Sequence, residues 1–188
     1  MSIEMAKTSA PLVIACDTRQ KRKHHTVKEQ WWAEHGIRLV HTKLMAGDYT
    51  RPADGSVAVD TKADIRELYS NVISDHARFR AECQLAQECG IQLVILVDSV
   101  EGVTCIDDIP TLWKNPQAAR YRIACINARR AGKRLPKPPA SNAAFCKALH
   151  TMEEKYGVKF KFCRPVQAAR TVCELLGLAV PDEHAESC

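Results

Sequence analysis

In Val57-Ala58-Val59-Asp60-Thr61-Lys62 an apolar start gives way to charge: Ser56 to Asp60 predicts a short strand, and Asp60-Thr61-Lys62 ends it. It follows Asp54-Gly55, a hairpin-turn signal. It ends in a change of period, because Ile65, Leu68, Val72 and Ile73 fall on one helical face. Residues two apart on a strand point to the same side, so Asp60 and Lys62 project together. Gly47-Asp48-Tyr49 lies upstream, and Asp48 enters from the adjacent hairpin arm.

Outward from this stretch, strands alternate with helices. Leu12 to Cys16 predicts a buried strand that ends at Asp17-Thr18-Arg19-Gln20. Thr26 and Glu29 have the capping-box spacing and open a helix through Trp31 and Trp32 to Gly36. Ile37 to His41 predicts a second strand. Asp75 predicts the cap of a helix ending at Gly90. Gln92 to Asp98 has an unbroken apolar interior and predicts a central strand covered on both faces. Asn115-Pro116 starts a basic helix that ends near Gly132, and Ser141 caps one that stops at Gly157. Val158 to Cys163 predicts a strand, and Pro165 opens a last helix to Gly177. The order predicts an α/β fold with a mixed central β-sheet flanked by helices. It predicts a single domain over residues 1–180, with a basic helix–loop insertion at about 110–140 and a flexible tail at 181–188.

The chain has 188 residues, 46% of them hydrophobic and 26% charged, which is enough for a packed core and excludes a disordered or fibrous chain. No stretch reaches the roughly 18–20 apolar residues of a membrane span. The first residues lack an apolar signal core, so a cytoplasmic location is expected. The nine cysteines form no C-x-x-C pair and read as reduced thiols used as small hydrophobes. No GxGxxG or Walker pattern occurs, so no nucleotide cofactor is expected.

The net charge of +5 is unevenly spread. From Ile109 to Met152 there is no acidic residue. The same stretch holds nine basic ones: Lys114, Arg120, Arg122, Arg129, Arg130, Lys133, Arg134, Lys137 and Lys147. Arg19, Lys21, Arg22, Lys23 and Lys28 form a second cluster, with His24 and His25 read as a surface turn. Such patches fit a polyanion, because Lys and Arg on phosphates release counterions.

Asp48, Asp60 and Lys62 are what metal-dependent phosphodiester hydrolysis needs. Hard carboxylate oxygens hold Mg²⁺, and a lysine offsets developing charge or orients the attacking water. This is the PD-(D/E)xK pattern, with Asp60 in the D/E position. On spacing alone the same residues also read as a strand-end ion pair.

In order along the chain, the motifs resemble the XPF-type (ERCC4-like) structure-selective endonuclease family. Asp17-Thr18-Arg19-Gln20 is similar to that family's D-x-R-E. Gly47-Asp48-Tyr49 matches its G-D-Y, and Val57 to Lys62 sits where it has V-E-R-K. The helix carrying Arg78, Phe79 and Glu82 resembles its R-(L/F)-(Y/F)-x-Q helix, and Leu93 to Asp98 its next strand. Thr151 to Leu176 resembles its closing helix–strand–helix. Three positions depart. Asp60 is shorter than a glutamate, Thr61 replaces an arginine and Gln20 a glutamate. Arg66 also stands where the family has an acid, with Asp64 and Glu67 beside it.

The resemblance implies a restriction-endonuclease-like core and a DNA endonuclease selective for branched or flapped DNA, with Mg²⁺ or Mn²⁺ as cofactor. It implies metal binding by Asp48 and Asp60 with the Thr61 backbone carbonyl. Asp17 would tune the site or bind a second metal, Lys62 would activate water, and Arg78 would hold the scissile phosphate. Arg19, Arg120, Arg122, Arg129, Arg130, Lys133, Arg134 and Lys137 would bind DNA through phosphate contacts that carry no sequence information. A homodimer is implied. The compact form is similar to phage and mobile-element nucleases acting in DNA repair or recombination. The alternative function is a catalytically inactive DNA-binding partner subunit of a nuclease complex.

Overall fold

The structure, a computed structural model, describes residues 11–19 and 26–180. Gln20, the basic run Lys21 to His25, the Thr26 side chain assigned to a capping box, and the tail at 181–188 lie outside the described residues. Among the described residues six strands, β1 (Val13–Asp17), β2 (Arg38–Thr42), β3 (Tyr49–Thr50), β4 (Val57–Lys62), β5 (Gln92–Asp98) and β6 (Lys159–Cys163), form one sheet in the order β2-β1-β3-β4-β5-β6. β3 runs antiparallel to β1 and β4, while β1 with β2, β4 with β5, and β5 with β6 are parallel. The sheet is therefore mixed, as the element order predicts. β5 is buried along its interior as expected, but it lies next to the edge strand β6 rather than at the centre.

Among the described residues there are seven α-helices: α1 (Thr26–Glu34), α2 (Ile65–Tyr69), α3 (His76–Glu88), α4 (Ile109–Leu112), α5 (Pro116–Arg130), α6 (Asn142–Tyr156) and α7 (Ala168–Leu175); α1, α2, α3, α6 and α7 pack on the strands. On one face Trp32 and Val172 pack on Ile14, Tyr49, Val59 and Leu96. On the other Leu68, Phe79, Phe145 and Leu149 pack on Ala58, Ile95, Val97 and Phe160. Each of these fully buried large side chains contributes about 1.5–3 kcal/mol. Trp32 also donates to the Ala169 carbonyl at 2.9 Å, which ties α1 to α7. Alternation along β4 then decides where its charges go. Ala58 belongs to the face under α3 and Val59 to the opposite one, so Asp60 and Lys62 emerge towards α3.

Two local features differ from the sequence expectation. The helical stretch expected through Ile73 is α-helix only over Ile65–Tyr69. It passes into a π turn at Ser70–Ser74, closed by Asp75 N donating to the Ser70 carbonyl at 2.9 Å. Asp75 makes no side-chain cap for α3 and instead pairs with Arg78 at 2.6 Å. The thiols are also less uniformly hidden than expected. Cys16, Cys83, Cys146 and Cys173 are buried, but Cys89 and Cys105 are exposed. Burial pushes the Cys16 and Cys83 thiols up to about 12, so these two act as packing and not as nucleophiles. Among the described residues no helix is long and apolar enough to cross a membrane.

Candidate active site

The ends of β1 and β4, the loop before β3, and α3 enclose a cleft of about 510 Å³. It is lined by Asp17, Arg19, Asp48, Asp60, Lys62 and Arg78, together with Gly47 and Glu82. Every residue that the sequence assigned to catalysis is therefore in one place. The backbone builds this convergence. Asp48 N donates to the Val59 carbonyl at 2.8 Å, and Asp17 N donates to the Asp48 carbonyl at 2.9 Å. Asp48 is thus held between β1 and β4.

Asp48 is also oriented by its side chain. Thr61 donates to Asp48 Oδ2 twice, from its backbone N and from Oγ1, each at 2.8 Å. Oδ1 takes no part in this clamp. Thr61, which in sequence reads as a lost arginine charge, here fixes the neighbouring carboxylate.

Asp60 and Lys62 are 5% and 7% exposed. Lys62 Nζ lies 2.5 Å from Asp60 Oδ2 and 5.7 Å from the centre of the Phe79 ring. Asp60 Oδ2 is buried and meets no other donor besides this ammonium. Desolvation pushes the Asp60 carboxyl up to about 7; Lys62 opposes that rise, while Asp48 and Glu82 add to it. Burial is the largest influence on the Lys62 ammonium and would lower it, but the charge and hydrogen bond of Asp60, with the charges of Asp48 and Glu67, together hold its pKa above the usual value. The lysine is therefore a fixed cation in the cleft.

Both oxygens of the buried Asp17 are occupied. Arg19 N and Nε donate to Oδ1 at 2.7 and 2.9 Å, and Leu44 N donates to Oδ2 at 3.3 Å. The Arg19 guanidinium closes on Oδ2 as well and donates to the Leu44 carbonyl at 2.9 Å. Burial alone would raise the Asp17 carboxyl, but the hydrogen bonds and charge of Arg19 hold it below the usual carboxylate range. Stability linked to Asp17 is thus present above the unfolded value and is lost as pH falls through the lower folded value. Arg19→Ala leaves the burial without its compensation. Its melting temperature is expected to fall below wild type at neutral pH, with the gap closing towards pH 3, in thermal melts across that range.

Arg78 lines the cleft while pairing with Asp75 Oδ2 at 2.6 Å and reaching Asn71 Oδ1 at 3.4 Å. Asp64 and Glu67, the acids beside Lys62, are used elsewhere. Asp64 accepts from Glu67 N at 2.7 Å and Glu67 accepts from Ala63 N at 2.9 Å, a cap on α2. Glu82, quoted within the α3 motif but not assigned to the site, belongs to it. Its carboxylate accepts from Gly47 N at 3.4 Å, on the loop that carries Asp48. The signal was its position four residues after Arg78, on the same face of α3.

Among the described residues no group of three or more His, Cys, Asp or Glu side chains is arranged to hold a metal ion. Mg²⁺ does not require one, since it binds through one or two carboxylates and keeps several waters. Asp60, buried and met at Oδ2 only by the Lys62 ammonium, and Asp48, held by only one oxygen, fit that requirement.

No family model matches the chain, and no curated protein matches it. Among solved structures it is similar to XPF from Aeropyrum pernix, at a TM-score of 0.52 and 16% identity over 87% of this chain. The chain has an XPF-like fold. A second structure, XPF from Aeropyrum pernix in complex with DNA, aligns at a TM-score of 0.54 and 15% identity over 88% of this chain. This chain spans 63% and 64% of the lengths of those two chains. The XPF-like fold agrees with the restriction-endonuclease-like core expected from the motifs.

Of the basic residues assigned to DNA, only Arg19 lines this cleft. Arg120, Arg122, Arg129 and Arg130 are all exposed on α5, and Lys133, Arg134 and Lys137 are exposed on the loop that follows. The arginines do not share one face. At 3.6 residues per turn Arg122 and Arg129 lie together, and Arg120 stands about 160° from Arg122.

Proposed function

We propose that this chain is a metal-dependent DNA endonuclease that hydrolyses phosphodiester bonds, selective for branched or flapped DNA and acting as a homodimer. The observation that carries the reading is the buried Asp60 carboxylate, whose Oδ2 meets only the Lys62 ammonium, in one cleft with Asp48. Asp48 and Asp60, with the Thr61 carbonyl, would hold Mg²⁺ or Mn²⁺. When bound, the metal supplies charge neutralisation at the phosphate and a more acidic water.

The chain's own residues do the rest. Lys62 offsets charge as it develops on the phosphate and orients the attacking water by donation. Thr61 keeps Asp48 in one rotamer, and Glu82 braces the Gly47 backbone next to it. Asp17 already has both oxygens satisfied, so its role is to position Arg19 at the rim. Arg78, once released from Asp75, reaches the phosphate. Arg19 and the exposed basic segment grip the DNA backbone, in keeping with the DNA complex of the XPF-like neighbour.

The test is cleavage of end-labelled flap, fork, four-way junction and plain duplex DNA with Mg²⁺, Mn²⁺ or EDTA. The expected result is cutting of flap and fork with either metal, little cutting of duplex and none in EDTA. Salt-dependent binding without cutting under every condition would instead favour the inactive partner subunit.

A further inference from the structure

α5 is a 15-residue helix with no buried residue. A helix of this length is marginal on its own in water, and this one gains little from packing. It is supported at its ends. Asn115 accepts from Gln117 N at 2.9 Å, Pro116 takes the first position, and Arg129 and Arg130 sit in the last turn. The excursion that carries it is anchored where it leaves and re-enters the core. Asn142 donates to the Trp113 carbonyl at 2.9 Å, and the Tyr69 hydroxyl donates to the Ala140 carbonyl at 3.0 Å. A well-held helix is thus presented with its surface unspent.

That surface has two sides. Gln117, Tyr121, Cys125 and Ala128 are half-buried and face the protein. Opposite them Ala119, Ile123, Ile126 and Arg130 follow one another at helical spacing, flanked by Arg122 and Arg129. Ile123 and Ile126 are 60% and 48% exposed. The N-terminal end of this outer face opens into a cleft of about 640 Å³ between α5 and the end of the proline loop, lined by Lys114, Arg122, Trp113 and Pro139. Apolar side chains and cations therefore share one track.

We propose that this track holds an unpaired nucleic-acid strand, with Lys114, Arg122, Arg129 and Arg130 on its phosphates and Ile123 and Ile126 against its bases. Charge complementarity selects the occupant. A second copy docked by the same face would set arginine against arginine, with no acid from Ile109 to Met152 to relieve it. A duplex meets an apolar wedge only by unstacking a base step, whereas an unpaired strand offers both a charged edge and apolar faces without that cost. The proposal deepens the reading above and rests on its nucleic-acid partner, not on the cleavage chemistry.

The test is fluorescence anisotropy of the full chain in EDTA, with labelled oligo-dT and a blunt duplex of equal length. Ile123→Ser/Ile126→Ser is expected to weaken oligo-dT binding roughly tenfold and to change duplex binding by less than about twofold. Arg122→Ala/Arg129→Ala is expected to lower the salt slope of oligo-dT binding by about 1.4. Both isoleucines are exposed, so an unchanged melting temperature separates this loss from misfolding. The proposal is overturned by unchanged oligo-dT affinity in the isoleucine variant, by equal losses on both DNAs, or by an isoleucine-dependent dimer in sedimentation. Wild-type binding to duplex but not oligo-dT sinks this inference alone, and binding to neither DNA removes the DNA reading with it.

Discussion

Lys62→Ala is expected to lower the rate of metal-dependent cleavage by about 10²–10³-fold while DNA affinity in EDTA is retained. The size follows from where the ammonium sits. It is buried, it stays charged because Asp60 lies 2.5 Å away, and it points into the cleft that holds Asp48. An exposed lysine would be worth far less. Removing it also leaves a buried carboxyl without its partner, which typically costs about 3–5 kcal/mol when the remaining charge cannot escape. Here it can escape by taking a proton. The Asp60 carboxyl stands at about 7, against an ordinary 3.8. Stability linked to a carboxyl raised in this way is full below the unfolded value and is lost as pH rises through the folded one. Without Lys62 the folded value moves higher still. The melting temperature of Lys62→Ala is therefore expected to approach wild type near pH 5 and to fall behind it increasingly above pH 7. Single-turnover cleavage at the lowest pH where wild type is active then reports the missing ammonium and not an unfolded fraction. Lys62→Met, which keeps most of the stem against Phe79, gives the same comparison with less lost packing. A variant that melts like wild type and cuts within tenfold of it would show that Lys62 is only a structural ion pair.

Much of this site is legible in the sequence because strand parity is a strong constraint. Once Val57 to Lys62 is read as a strand with Ala58 and Val59 buried, Asp60 and Lys62 must share a face. The motif order then puts Asp17 and Asp48 beside them, and the β1–β3–β4 pairing shows how. What was not legible is of a different kind. β3 is only two residues long, too short to carry a period. The π turn after α2 changes one hydrogen-bond register without changing composition. Thr61 reads as an absence, because composition reports a missing charge but not a hydroxyl 2.8 Å from Asp48. Glu82 could have been found from its spacing to Arg78. That the α5 arginines do not all share one face follows from the spacing itself: Arg120 and Arg122 are two apart, and two residues on a helix point to nearly opposite sides.

Gly47→Ala is expected to be the most damaging change outside the charged residues. Gly47 has φ of +69°, where an L-residue costs about 1–2 kcal/mol. A Cβ there would also stand 3.1 Å from the Val59 carbonyl oxygen and 3.2 Å from Ala58 Cβ. Backbone and a buried methyl cannot rotate away, so crowding adds about 1–3 kcal/mol. The expected loss in melting temperature is roughly 5–15 °C. The place of the clash links stability to function. The crowded Val59 carbonyl is the acceptor for Asp48 N, and the Asp48 carbonyl in turn holds Asp17 N. A methyl inserted at Gly47 pushes on the bond that sets the height of Asp48 above β4. Displacement of a reacting group by about 1 Å can cost 10²-fold in rate, so cleavage is expected to fall by about that factor even at temperatures where the variant is fully folded. Gly55→Ala separates the two causes. Gly55 has φ of +65° but open space where its Cβ would go. It should show the backbone strain alone, a loss of about 1–2 kcal/mol, with cleavage by the folded protein unchanged. If the two variants lose stability and activity alike, the close approach of Gly47 to β4 is not what places Asp48.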